Sequence, residues 1–151
     1  MKAGFDTSVL VAALVAAHPR HPRAVIWLEA AATSRIEGVA SWHAVAETYA
    51  VLTRLPLLPR LSTEQAEEVV LRLAKILSLL PPTAAVYRSA LRRAHEKRIR
   101  SGGLFDALQL ITAERAGADL FLTFNVDDFS RIEAPTSPRI VAPPDPPALK
   151  V

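Results

Sequence analysis

Three acids in this chain stand where acids are uncommon. Asp6 follows Ala3-Gly4-Phe5 and precedes Thr7-Ser8-Val9-Leu10-Val11. That places it at the carboxyl end of a predicted first strand, and open α/β sheets bind ligands outside the carboxyl ends of their strands. The plainer role is an N-cap for the following helix. Glu47 is the one acid from Trp42 to Leu58, in a stretch apolar on nearly every side, so its helix is expected to be buried. A lone buried carboxylate is costly unless paired or bound to a cation. An arginine partner or an exposed edge would serve equally. Asp106 falls in the first turn of a helix, an ordinary place for an acid. Its neighbours Leu104, Phe105, Ala107 and Leu108 are apolar, which points to a crowded setting.

Three acids from separate elements, each beside apolar surface, suggest one shared site. Clustered carboxylates raise one another's pKa unless a cation neutralises them. Oxygen-only ligands point to Mg²⁺ or Mn²⁺ rather than zinc. The chemistry such a site suits is metal-assisted hydrolysis of a phosphodiester.

The elements that must position these acids alternate between strand and helix. Met1 to Phe5 reads as a strand, and Thr7 or Ser8 caps an apolar helix over Val9 to Ala17. Pro19 and Pro22 interrupt it, with Pro22 at the first turn of a second helix to Arg35. Ile36 to Ala40 is a short apolar strand. Ser41 caps a helix from Trp42 to Leu55. Ser62 and Gln65 form a capping-box pattern, followed by a stripe of Val69, Val70, Leu73, Ile76 and Leu77. Ser78 to Leu80 is a candidate strand. Helices follow over Thr83 to Arg100 and Leu104 to Ala116, the latter stopped by Gly117. Asp119 to Thr123 is a strand that Asp119 begins, Val126 to Arg131 a helical turn, and Arg139 to Ala142 a last strand. This alternation predicts an α/β domain with a mainly parallel sheet covered on both faces. Six of the twelve prolines lie between Pro135 and Pro147, so residues 143–151 are expected to form an extended tail after a domain over 1–142.

The length of 151 residues, half of them hydrophobic and 22% charged, gives one domain with a real core and excludes wholesale disorder. With no cysteine, thiolate metal sites and cysteine nucleophiles are excluded. Val9 to Ala17 is about half of the ~20 apolar residues a membrane helix needs, and Asp6 argues against a signal peptide. The cytoplasm is the expected location. The net charge of +3 is weak by itself, but six of the eighteen bases crowd between Arg88 and Arg100, opposed by Glu96 alone. Arg92, Arg93, Lys97 and Arg100 are therefore candidate contacts to a nucleic-acid backbone, with a solvated helix face as the alternative. His18 and His21 read as a surface loop. His43 lies one helical turn before Glu47, within reach of a hydrogen bond. Gly102-Gly103 lacks the Lys-Ser or Lys-Thr of a P-loop.

These motifs, in this order, resemble those of PIN-domain ribonucleases of the VapC toxin type, over Met1 to about Ala142. Phe5-Asp6-Thr7-Ser8 resembles the opening strand with its first acid, and Ala46-Glu47-Thr48-Tyr49 the helix with the second. Phe105-Asp106-Ala107-Leu108 is similar to the third, and Leu122-Thr123-Phe124-Asn125-Val126-Asp127-Asp128-Phe129 to the last strand and its turn. The family often has an Asp where this chain has Asn125. The resemblance implies a three-layer α/β/α fold around a parallel sheet of four or five strands. It implies Asp6, Glu47 and Asp106 as catalytic and metal-binding residues, with Asn125 beside them and Thr7, Ser8, Thr123 and Asp128 in support. It further implies Mg²⁺- or Mn²⁺-dependent cleavage of structured RNA such as tRNA or rRNA, a homodimer, and a cognate antitoxin. A housekeeping RNA-processing nuclease or a non-catalytic binding module would share the same fold. A haloacid-dehalogenase-type phosphatase fits less well, since it needs an Asp where Ser8 stands.

Overall fold

The computed structural model describes residues 1–144. In chain order these are β1 (Lys2–Phe5), α1 (Thr7–Leu14), α2 (His21–Ala32), β2 (Glu37–Ser41), α3 (Trp42–Arg54), α4 (Thr63–Arg72), β3 (Ser78–Leu80), α5 (Ala84–Glu96), α6 (Gly103–Arg115), β4 (Leu120–Leu122), α7 (Val126–Ser130) and β5 (Arg139–Val141). One 3₁₀ turn, Leu73–Lys75, follows α4. Five strands form one sheet in the order β3-β2-β1-β4-β5, every pair parallel. The chain winds outward from β1 through β2 to β3, then crosses back to lay β4 and β5 on the other side. The winding therefore reverses between β1 and β4, which creates the crevice that α/β sheets use for ligands.

Strand side chains alternate between faces, so the sheet feeds two cores. On one face Ala3, Phe5, Ala40, Leu120 and Leu122 pack with the buried sides of α1 to α4. On the other, Phe121 packs with α5, α6 and α7 through Val86, Ala90, Leu108, Ile111 and Phe129. This is the expected three-layer arrangement. Gly4 sets the spacing of the second layer. A Cβ there would meet Phe121 at 2.9 Å and Ala113 of α6 at 3.0 Å, so the missing side chain lets α6 close on β1.

Several boundaries differ from the sequence reading. The apolar first helix ends at Leu14, not Ala17, with Val15 as its C-cap. The stripe over 69–77 is not one helix: α4 stops at Arg72, and Ile76 and Leu77 follow the 3₁₀ turn. The basic helix stops at Glu96, four residues before Arg100. There the amide of Ile99 bonds to the carbonyl of Ala94 (2.8 Å) and that of Arg98 to the carbonyl of His95 (3.2 Å), with Arg98 at φ 55°. This is a Schellman ending, whose left-handed position glycine usually fills. Helix α6 ends the same way on Gly117 (φ 69°), and α2 on Ser34 (φ 56°). The expected tail begins at Pro143, whose carbonyl accepts from Arg23 Nε at 2.7 Å. Residues 145–151 of that tail lie outside the described residues.

Candidate active site

Two strand ends and two helices meet at the β1/β4 crevice. Asp6 follows β1 directly, and its side chain accepts from the Ser8 amide (3.3 Å) as the N-cap of α1. The capping role and the site role are thus held by one residue. Its Oδ2 also accepts from Ser8 Oγ (2.6 Å) and from Thr123 Oγ1 (2.8 Å), just past the end of β4. Ser8 Oγ accepts in turn from the Phe124 amide (3.0 Å), and Thr123 Oγ1 from the Asn125 amide (2.9 Å). These bonds tie the two loops across the winding reversal. Asp6 is 3% exposed, and burial pushes its carboxyl above the ordinary range against the pull of the hydrogen bonds.

Among the described residues Glu47 has no arginine partner, and it is not buried; its side chain is one third exposed. The helix that carries it also exposes Trp42, Ala46 and Ala50, so the expectation of an all-round buried α3 is corrected. Its carboxylate is instead oriented by neutral donors. Thr7 Oγ1 donates to Oε2 at 2.8 Å, and Gln109 Nε2 to the same oxygen at 2.9 Å. Gln109 Nε2 also donates to Thr7 Oγ1 (3.2 Å), and its Oε1 accepts from the Thr7 amide (3.3 Å). His43 Nε2 stands 3.1 Å from Glu47 Oε1 with its ring stacked on Phe105.

Asp106 makes no hydrogen bond among the described residues. Burial, then the charges of Asp6, Glu47 and Asp128, raise its carboxyl to about 7. Asp6, Glu47, Asp106 and Asn125 line one cavity of about 290 Å³. Among the described residues no three acidic or histidine side chains stand close enough together to grip an ion directly. The donor set nonetheless fits a hydrated Mg²⁺, which keeps several waters and takes one or two carboxylates. The three acids and the Asn125 amide offer oxygen atoms to the cavity, and the unbonded Asp106 is held against ionisation by burial and then by like charges that a cation would relieve.

The remaining candidates divide. Thr7, Ser8 and Thr123 bond the acids as described, and Asp128 lies near enough to raise Asp106. Asp119 is at the opposite end of the sheet, where its Oδ2 accepts from the Lys2 amide at 2.7 Å. Among the bases, Arg93 turns inward to Glu114, with Nη1 to Oε1 at 2.5 Å and Nη2 to Oε2 at 3.0 Å. Its expected place on a nucleic-acid face is therefore corrected: the 15% exposed side chain is committed to an ion pair. Arg92 and Lys97 are exposed, and Arg100 lines a second cavity that shares Asp106.

Four further residues escaped the sequence reading. Gln109 had a signal: it is polar within an apolar run, three residues after Asp106 and so on the same helix face. His18 and Arg20, taken as part of a plain surface loop, line the acidic cavity, and the Arg20 guanidinium sits 4.8 Å from the Phe124 ring centre. Arg131 lines the second cavity. For these three no local pattern existed, because the fold brings them in.

Residues 5–135 match the PIN domain family. Ribonuclease VapC27 of Mycobacterium tuberculosis is 33% identical over 123 residues, 76% of this chain and 79% of that protein. Ribonuclease VapC40 of the same species is 38% identical over 117 residues, 76% of this chain and 81% of that protein. Among solved structures, VapBC2 from Rickettsia felis, bound to a DNA fragment from its promoter, superposes with a TM-score of 0.66 at 19% identity, covering 94% of this chain and 98% of that one. VapC20 of M. tuberculosis, a sarcin-ricin loop cleaving toxin, gives 0.66 at 20%, covering 90% and 99%.

Proposed function

The chain belongs to the PIN-domain family and is of the VapC type, and from that premise we propose that it is a Mg²⁺- or Mn²⁺-dependent endoribonuclease, the toxin of a toxin–antitoxin pair. The observation that carries the reading is the convergence of Asp6, Glu47 and Asp106, from three separate elements, on one cavity at the β1/β4 reversal.

A bound divalent ion would lower the pKa of a coordinated water and so supply the nucleophile for phosphodiester hydrolysis near neutral pH. The protein's part is positioning and charge. Ser8 and Thr123 fix one oxygen of Asp6, so its carboxylate is aimed before any ligand arrives. Thr7 and Gln109 do the same for Glu47 Oε2, and His43 for Oε1. Asp106, unbonded and with its carboxyl raised to about 7 by burial and then by the neighbouring acids, would serve as a further ligand once a cation offset that charge. Asn125 offers a carbonyl oxygen to the same cavity without a charge, which favours one tightly held ion over two.

The substrate we propose is structured RNA, tRNA or rRNA, in the cytoplasm, with regulation by a cognate antitoxin and assembly as a homodimer. The VapBC2 structure that shares the fold supports the antitoxin. No helix of the described residues is long and apolar enough to cross a membrane. The test is RNA cleavage by wild type and Asp6→Asn, with Mg²⁺, with Mn²⁺ and with chelator. Wild type is expected to cut only with metal, and Asp6→Asn to fall at least about a hundredfold, since removing a ligand charge disables ion and water together. Equal cleavage by the variant refutes the site. Growth arrest on expression, relieved by the product of a neighbouring reading frame, separates the toxin from a housekeeping nuclease.

A further inference from the structure

We infer that Arg98, Arg100 and Arg131 form a subsite for an RNA phosphate beside the one that is cut. The inference rests on the nuclease reading above. The three arginines line a cavity of about 410 Å³ that shares Asp106 with the acidic cavity. A strand with one phosphate among Asp6, Glu47 and Asp106 would therefore continue into this second space.

Three observations point to an anion there. First, among the described residues none of the three guanidiniums has a hydrogen bond or an ion pair, whereas Arg72 and Arg93 on the same protein are paired with Glu68 and Glu114. Asp106 and Asp128 are the acids lining the cavity. Three arginines against these two acids leave the lining net positive. Second, the arginines come from two elements, the α5–α6 loop and the C-cap of α7, so no helical repeat placed them together. Third, Arg98 occupies the left-handed position of the Schellman ending of α5. Glycine is the least strained choice there, and α6 uses it at Gly117. Ser34 shows that a non-glycine residue can fill this position elsewhere in the fold, so at Arg98 it is the placement of the strained residue on the cavity wall that bears on function. The loop is also held firmly. Ile99 packs against the second core, and a Cβ on Gly103 would meet Ile99 Cγ2 at 2.4 Å. The guanidiniums of Arg98 and Arg100 are thus presented from a fixed backbone, and arginine's fork suits a phosphate.

Arg98→Gly separates this role from a structural one, because it relieves the backbone strain while removing the charge. The probe is a fluorescein-labelled single-stranded 16-nucleotide RNA, read by anisotropy in chelator over a range of salt, with thermal melts alongside. The expected result for Arg98→Gly is an unchanged or higher Tm, about three- to tenfold weaker binding, and a salt slope reduced by about 0.7, one phosphate contact on a single strand. Arg100→Ala and Arg131→Ala should behave alike in binding. Wild-type affinity and slope in all three variants overturn the subsite, as does failure of wild type to bind the RNA at low salt. Unchanged RNA binding with lost antitoxin capture overturns it in favour of a protein partner. Metal-dependent cleavage is measured in parallel. Cleavage with no binding defect sinks the subsite alone, whereas a binding defect without any wild-type cleavage sinks the nuclease reading alone.

Discussion

Gln109 Nε2 donates to Glu47 Oε2 at 2.9 Å, joining the middle of α6 to the middle of α3 across a gap that carries the acidic cavity. Gln109 is 2% exposed and its amide is spent on Thr7 and Glu47 alone among side chains. Replacing it with leucine leaves the Thr7 amide and the carboxylate short of partners. We expect Gln109→Leu to lose about 1–2 kcal/mol of stability, toward the low end for a charged acceptor because Glu47 is partly solvated. Cleavage should fall roughly ten- to a hundredfold through a misplaced carboxylate. Chemical denaturation and single-turnover cleavage measure the two. Full activity in the variant would show that Glu47 needs no such support.

The pH dependence of the metal-free protein follows from Asp6 and Asp106. Both carboxyls titrate higher in the folded state than unfolded, Asp106 at about 7. Below the unfolded value near 3.9 they are protonated in both states and cost nothing. Between that and about pH 7 the folded state holds more protons, so their contribution lowers stability as pH rises. Asp106→Asn should accordingly raise Tm in chelator more at pH 8 than at pH 5. The same linkage predicts weaker Mg²⁺ binding below pH 7. An equal Tm gain at both pH values would contradict the crowding of these charges.

Arg93 belongs to the scaffold. Its fork meets both oxygens of Glu114, whose Oε1 also accepts from Ser137 Oγ at 2.5 Å, fastening α5, α6 and the segment before β5. Removing one member leaves a carboxylate 9% exposed without its cation. Arg93→Ala should cost about 3–5 kcal/mol, while the salt slope of RNA binding stays at the wild-type value. Equilibrium denaturation tests the first part and anisotropy the second.

Asn125 exposes a neutral amide to the acidic cavity. Asn125→Asp adds a charge there and should tighten Mn²⁺ on the order of tenfold in calorimetry, bringing a second ion into view. Without metal, another like charge should lower Tm. Unchanged Mn²⁺ affinity would mean that this side chain does not face the ion.

Much of the site was readable because its signals are local. Asp6 declared itself by its position after a strand, and Asp106 by its apolar neighbours. His43 and Glu47 are four residues apart on one helix, and the structure keeps them 3.1 Å apart. The errors have local and distant causes. Reading α5 through to Arg100 ignored that an arginine can take the left-handed stop usually marked by glycine. Treating Arg93 as a surface base ignored Glu114, 21 residues away, because pairing across helices leaves no periodic trace.

By itself the sequence determined the alternation of strands and helices, the oxygen-only chemistry of the acids and the resemblance to the PIN family. Hydrophobic period, capping residues and composition act over a few residues, so they are written in the chain. The strand order β3-β2-β1-β4-β5, and with it the crevice between β1 and β4, was decided only by the tertiary structure. So were the Thr7–Gln109–Glu47 bonds, the arrival of His18 and Arg20 at the cavity, and the gathering of Arg98, Arg100 and Arg131. Each depends on how two packed layers set the distance between residues far apart in sequence, and that distance is a property of the assembled core.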